Sequence, residues 1–454
     1  MRTDKIIGSA GLACLALLFA WWAFKSESLS AEGTATAVMV LVLFAWLGLN
    51  LTPRFTAFLR ADETISNKVK LGKRSLRRSL RHPFFKIAAA VVLWQAAVYA
   101  LAYVFDLIAK GYEGGLFDKL SDILVKTDAP HYLGIAKNWY VTEGDPRFHI
   151  VFYPLYPVVI KAVWFFVKDY FTASLIVSGS CGAVSGILIY ELALLDTERK
   201  EALRCVKYFL LLPAAFFFAA PMSESLFFML SLGCMYLSRK KRFFLSCILG
   251  ALAAFTRSLG IVLIVPVCLE MIAELVKEYK NNARLLKRIF TYAAYLILIA
   301  FGFGAYLLIN YAVWGNPWQF LVFQKEHWSQ GLGLFFNTAA YQAENALKNI
   351  NDPHLLFGLW LPNILYMLLS LAVMIPAAKS LRASYTAYFF VYFFISMGAT
   401  WLLSAPRYLT ACFPLPMALA AIANDKKKDA AATVICAAGF AAYLAAFAAG
   451  WYVY

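Results

Sequence analysis

IIGSAGLACLALLFAWWAF, residues 6–24, is followed at residues 34–51 by TATAVMVLVLFAWLGLNL. As helices rising 1.5 Å per residue these runs reach about 27–29 Å, close to the roughly 30 Å hydrocarbon core of a bilayer. The first is too long for a signal-peptide core, has no small-residue cleavage site, and leads at once into the second, so it is expected to stay as an anchor. The pattern recurs down the chain. Of 454 residues, 62% are apolar, 17% aromatic and 15% charged, against about 45–50% apolar and 25% charged in soluble domains. A dozen or so apolar runs of about 15–25 residues stand between basic stretches. The expected fold is an all-α polytopic membrane protein. That excludes a cytosolic enzyme, a secreted disulfide scaffold and a nucleic-acid binder, although a net charge of +16 would suggest the last in a soluble chain.

The basic excess is read as topology instead. Between the second and third runs lie Arg54, Arg60, Lys68, Lys70, Lys73, Arg74, Arg77, Arg78, Arg81 and Lys86 against only Asp62 and Glu63. The positive-inside rule makes this segment cytoplasmic, as a solvated loop or an amphipathic helix on anionic lipid. Basic clusters at 199–207, 239–242, 277–288, 379–382 and 426–428 mark further cytoplasmic turns. By parity, 206–239 and 243–272 are short hairpins turning outside near Pro221-Met222-Ser223-Glu224 and Thr256-Arg257-Ser258. Residues 171–195 then form a span, and 150–167, with Pro154 and Pro157, a helix on the outer interface. The tally is about thirteen spans, N-terminus cytoplasmic and C-terminus outside. The chain divides into 1–86, a two-span hairpin plus basic loop, and 87–454, the main transmembrane domain, in which 109–170 forms an outer loop with interfacial helices. Irregular polar sequence collects in the outer segments 109–149 and 314–353, which points to work done outside. The eight cysteines lie in or beside apolar runs without CxxC or Cys/His spacing, so neither disulfides nor zinc are expected.

Thr127-Asp128-Ala129-Pro130 reads as a helix start, with Asp128, His131 and Tyr132 on one face at i, i+3 and i+4. Asp128 is a candidate general base steadied by the adjacent imidazole, or else a capping residue beside a solvated histidine. Glu224 and Arg257 stand at turns of hairpins barely long enough to span. They either pair to seal the bundle or bind substrate. Arg407, in Ser404-Ala405-Pro406-Arg407-Tyr408, opens an outer-side helix, to grip a phosphate or to snorkel to headgroups.

Asp128-Ala129-Pro130-His131-Tyr132-Leu133-Gly134-Ile135-Ala136, then Phe152-Tyr153-Pro154-Leu155-Tyr156-Pro157, resembles the first lumenal loop of the phosphatidylinositol-glycan class V mannosyltransferases and their bacterial relatives, members of the GT-C glycosyltransferase superfamily. The resemblance continues through Met222-Ser223-Glu224-Ser225, Thr256-Arg257-Ser258-Leu259-Gly260, Trp314-Gly315-Asn316-Pro317 with Gln324 and Trp328, and Pro406-Arg407-Tyr408-Leu409, covering about residues 87–423 in the family's order. Three positions depart from it. Thr127 stands where the family usually has tryptophan, Trp139 where it usually has glycine, and Met222 where it often has tyrosine.

The resemblance implies a GT-C-like integral-membrane enzyme, bacterial-type and in the plasma membrane. It would move a sugar, typically mannose, from a polyprenyl-phosphate donor to an acceptor hydroxyl of a glycan or glycolipid on the extracytoplasmic side, with inversion. Asp128 would be the base. His131, Tyr132, His149, Glu224, Arg257, Arg407 and Tyr408 would bind substrate, the two arginines facing the leaving phosphate. No cofactor or metal is expected, although Asp118 and Asp122 leave a cation open. A lipid or glycan flippase would show broken helices at the midplane and often an internal repeat. An O-antigen polymerase or ligase is the other alternative.

Overall fold

The structure, a computed structural model, describes residues 2–26, 30–60, 83–111, 115–278 and 285–454. The two opening runs are α1 (Arg2–Lys25) and α2 (Ala31–Leu59), the latter capped by Ser30 Oγ, which accepts the Gly33 N–H at 3.0 Å. After α3 (Phe84–Lys110) the chain makes α4 (Leu116–Leu124) and α5 (Ala129–Asn138), the latter starting where Pro130 is tolerated in a first turn. A 3₁₀ segment, Asp145–Val151, leads to α6 (Leu155–Val167), and Asp169 caps α7 (Tyr170–Ala193). Next come α8 (Arg199–Leu211), α9 (Glu224–Arg239), α10 (Phe243–Thr256), α11 (Ile264–Glu278) and α12 (Leu285–Trp314). The second outer segment holds α13 (Gln319–Trp328) and α14 (Phe335–Lys348). The chain closes with α15 (Pro353–Ala377), α16 (Ala383–Ser396), α17 (Ala405–Thr410), α18 (Pro414–Ile422) and α19 (Lys426–Ala449). Among the described residues there is no strand, only an isolated antiparallel bridge between Leu332 and Ala399.

Among the described residues eight helices are long and apolar enough to cross a membrane, or nine if one bent pair is a single span. Thirteen crossings would also need α8, α9, α10, α16 and α18, which have 13, 16, 14, 14 and 9 residues. Such helices reach only about 14–24 Å, so helix length does not establish that count. The single interfacial helix expected over 150–167 is corrected: Asp145–Val151 and α6 meet at 111°. The break falls at Phe152-Tyr153-Pro154, where a proline has no N–H to continue the first helix. The second outer segment also folds back on the bundle. Helix α14 packs along α2, where Ser30 Oγ donates to Glu344 Oε1 at 2.9 Å, and is tied to α1 by Trp22 Nε1, which donates to Asn337 Oδ1 at 2.8 Å.

Close packing in the bundle rests on small residues. Helices α10 and α12 approach so tightly that a Cβ on Gly302 would sit 1.9 Å from the Ala251 carbonyl oxygen. At the end of α9 remote from Glu224, Arg239 holds Asp196 at 2.6 Å, while Arg382 and Ser384 hold Glu270 at 2.6 and 2.5 Å. This lock ties α9, α11 and α16 at the face marked by basic clusters. The basic residues expected at 61–82, with Asp62 and Glu63, and residues 279–284 of the later cluster lie outside the described residues.

Candidate active site

Four charged side chains from four separate stretches of chain meet at the other end of α9. Asp128 precedes α5, Glu224 opens α9, Arg257 follows α10, and Arg407 lies in α17. The turn at Met222-Ser223-Glu224 is essentially inaccessible, with Tyr132 and Thr127 of the segment 115–151 packed on it.

Glu224 sits between the two arginines. Arg257 Nη1 donates to Glu224 Oε1 at 2.5 Å and to Ser223 Oγ at 3.0 Å. Arg407 Nη2 pairs with Asp128 Oδ2 at 2.6 Å, and its Nε lies 3.1 Å from Glu224 Oε1. That Nε contact is too poorly aimed to be a hydrogen bond, so Arg407 Nε is buried without one, and so is the other carboxylate oxygen, Glu224 Oε2. Two guanidiniums and two carboxylates balance in formal charge, which is what burial of ions requires. Two orphaned polar atoms inside such a cluster mark an unmet hydrogen-bond demand. Tyr408 underlies both cations, its ring 5.0 Å from the Arg257 Cζ and 5.9 Å from the Arg407 Cζ.

Asp128 does not cap α5: its side chain makes no capping bond, in contrast with Asp169 and Asp425, which do cap their helices. Its side chain is 25% exposed, whereas those of Glu224 and Arg407 are 2% and 4% exposed. The residue before it, Thr127, has φ 55°, a left-handed conformation that β-branched residues avoid, and it turns the chain into the site. No hydrogen bond joins His131 to Asp128. The imidazole stacks instead on Phe152 at 4.5 Å, with the His149 ring against its edge at 4.8 Å and Trp328 at 6.3 Å. Burial outweighs the attraction of Asp128 and holds the His131 pKa below the usual imidazole value. Tyr132 shares a hydrogen bond with Ser223 at 2.8 Å, and burial pushes its hydroxyl pKa up, so it stays protonated.

Asp128, His131, Tyr132, Arg257, Arg407 and Tyr408 line one cavity of about 320 Å³. Glu224 lies behind the arginines, and His149 behind His131, beside Gly134, where a Cβ would come within 3.1 Å of the imidazole. Asp118 and Asp122 do not line the cavity. Among the described residues no group of three or more His, Cys, Asp or Glu side chains is placed to hold a metal ion. Residues missed from the sequence as site components include Gln330 and Trp401, which also line the cavity. Gln324 and Trp328 do so too, and their place in the motif pattern was the available signal. Two of the family departures touch: Thr127 Oγ1 lies 3.9 Å from Met222 Sδ, which also takes Arg407 Nη1 at 3.6 Å.

A helical membrane bundle with a charge-paired cavity under loops at one end is the framework of an integral-membrane enzyme. Residues 108–316 match the family model described as Mannosyltransferase (PIG-V), so over that stretch the chain is similar to this family, and the protein is a membrane glycosyltransferase. The matched stretch contains Asp128, His131, Tyr132, His149, Glu224 and Arg257, and ends before Arg407 and Tyr408. The comparisons with curated proteins and with solved structures returned no match.

Proposed function

We propose that the protein transfers mannose from a polyprenyl-phosphate donor to an acceptor hydroxyl on the extracytoplasmic side, with inversion and with Asp128 as general base. The observation that carries this reading is the convergence of Asp128, Arg257 and Arg407 on one cavity. The acceptor oxygen bonds to the anomeric carbon as the bond from that carbon to the phosphate oxygen breaks. The acceptor proton passes to Asp128, and the phosphate leaves on its lipid. Charge building on that phosphate needs fixed positive groups in a partly dry site. Arg257 lines the cavity and bonds Ser223 and Glu224 through Nη1. Arg407 is held by Asp128 in the free protein, so a phosphate that draws Arg407 away also frees the carboxylate as a base. The extracytoplasmic reading is supported by α9 and α10, where Glu224 and Arg257 stand at the ends opposite the basic turn 239–242.

The test is incubation of purified, lipid-reconstituted protein with labelled polyprenyl-phosphate mannose and membrane glycolipid. Labelled product is expected from the wild-type protein and not from Asp128→Asn. Equal product from both would remove Asp128 as the base, and no product from either would reject the donor.

A further inference from the structure

We propose that Trp328, Gln324, Gln330 and Trp401 form the subsite that receives the acceptor, and that its ligand is a neutral pyranose ring. The proposal rests on the transferase reading above and adds to it the residues and the chemistry of acceptor recognition.

The cavity lining divides by chemistry. Arg257 and Arg407 lie against Tyr408 and Phe217, which accounts for the cationic part. Another part comes from the end of α13 and the segment ahead of α17: Gln324, Trp328, Gln330, Trp401 and Ser404, with no charged group among them. Two indoles, two amides and a hydroxyl suit a sugar, whose axial C–H face is weakly apolar and whose edge is a ring of hydroxyls. They do not suit a phosphate, which calls for guanidinium or ammonium groups. They do not suit a prenyl chain either, because amide groups facing hydrocarbon would go unsatisfied.

These groups are held in place before any ligand arrives. Gln324 Nε2 donates to Gln330 Oε1 at 3.0 Å, and Gln330 Nε2 donates to the Trp401 carbonyl at 3.2 Å. Extended pairing fixes the two segments to each other, with Gly333 N–H donating to the Gly398 carbonyl at 2.7 Å and Thr400 N–H to the Gly331 carbonyl at 2.9 Å. Trp328 is braced edge-on by Phe152 at 5.9 Å and by His131 at 6.3 Å. His131 stands one helical turn from Asp128, about 5 Å along α5. A pyranose lying on Trp328 shares one cavity with the carboxylate read as base. His131 acts here as a positioning residue, packed between the base's helix and the sugar platform.

Two measurements test the proposal. In saturation-transfer NMR with the methyl glycosides of mannose, glucose and N-acetylglucosamine, at least one should show saturable binding to wild-type protein. Trp328→Ala should lose that binding and Trp328→Phe should keep part of it, which separates loss of the platform from misfolding. In transfer assays, Trp328→Ala should raise the acceptor KM at least tenfold while the donor KM stays within about twofold. Absence of sugar binding to wild type, an unchanged acceptor KM in Trp328→Ala, or donor and acceptor KM rising together would each overturn the subsite. Sugar binding that depends on Trp328, with no transfer from the mannosyl donor, would keep the subsite and reject the proposed donor instead.

Discussion

Arg407 Nη2 and Asp128 Oδ2 stand 2.6 Å apart, joining the α17 arginine to the carboxylate at the mouth of α5. If that carboxylate is the base, Asp128→Asn should lower turnover by about 10²–10⁴ with normal membrane yield. Arg407→Lys, which keeps the charge and loses the planar fork, should lower it at least roughly tenfold, about 1.4 kcal/mol of transition-state stabilisation. Because the two act through one contact, the double variant should fall well short of the product of the single losses. Initial rates at limiting donor decide this, and a multiplicative double variant would mean that the pair works as two independent groups.

Glu224 should respond differently, because it is the shared counter-ion of two buried arginines. Glu224→Gln leaves those cations with a deficit of negative charge, and breaking a buried ion network from one side costs about 3–5 kcal/mol. The melting temperature in detergent should drop by many degrees in Glu224→Gln and change little in Asp128→Asn, whose side chain is 25% exposed. Equal melting of both variants would place Glu224 in the chemistry rather than in the scaffold.

The sequence carried the membrane character of the fold, the start of α5 and the candidate status of Asp128, Glu224, Arg257 and Arg407, because apolar run length and ions beside membrane-embedded turns are local signals. It did not carry the partnerships. Arg407 meets Asp128 across most of the main bundle, and no spacing rule reaches that far. The break at Phe152-Tyr153-Pro154 had its signal in Pro154, which reads equally well as the first turn of one continuous interfacial helix. The fold-back of α14 on α1 and α2 rests on Trp22–Asn337 and Ser30–Glu344, polar pairs between segments whose own sequences look like spans and a loop. Trp401 lay inside an apolar run and gave no sign that it faces a cavity.

Gly260 follows Arg257 by three residues, and a Cβ there would come within 2.2 Å of the Ala254 backbone nitrogen and 2.3 Å of the Ala253 carbonyl carbon. The obstacle is backbone, so the 3₁₀ segment Ser258–Leu263 must move as a unit. Gly260→Ala should therefore displace Arg257 and lower turnover at least tenfold, with the loss expressed mainly in the donor KM. Near-normal kinetics would show that the segment shifts without carrying the guanidinium.

Lys126 gives a pH-dependent prediction. Its Nζ donates to the Phe447 carbonyl at 3.1 Å and contacts the Ala448 carbonyl at 3.4 Å, at the end of α19. Burial first, and then repulsion from Lys110, pushes its pKa down to about 8. The unfolded value is about 10.4, so between about pH 8 and 10.4 the unfolded chain holds more of this proton than the folded one. The group's contribution to stability therefore rises with pH across that window and is level below it. The melting temperature of wild type relative to Lys126→Met should increase from pH 8 to pH 10. A pH-independent difference would mean that Lys126 titrates normally.

Trp139 closes α5 with φ 63° and ψ −164°, in a region populated almost only by glycine. This is the position at which the resembling family usually has glycine, so the backbone is kept while the side chain that suits it is not. Holding a residue with a Cβ there costs about 1–3 kcal/mol, partly offset by the indole packing against Tyr140 at 4.9 Å. Trp139→Gly and Trp139→Ala both delete that indole and differ only in the Cβ. Glycine's greater freedom in the unfolded chain works against it by about 0.5–1 kcal/mol, so strain at the upper end of the range leaves the glycine variant ahead by about 2–2.5 kcal/mol. Thermal unfolding of the two variants in the same detergent measures this difference directly. A glycine variant that melts at or below the alanine variant would show that the strain does not exceed glycine's entropic cost of about 0.5–1 kcal/mol.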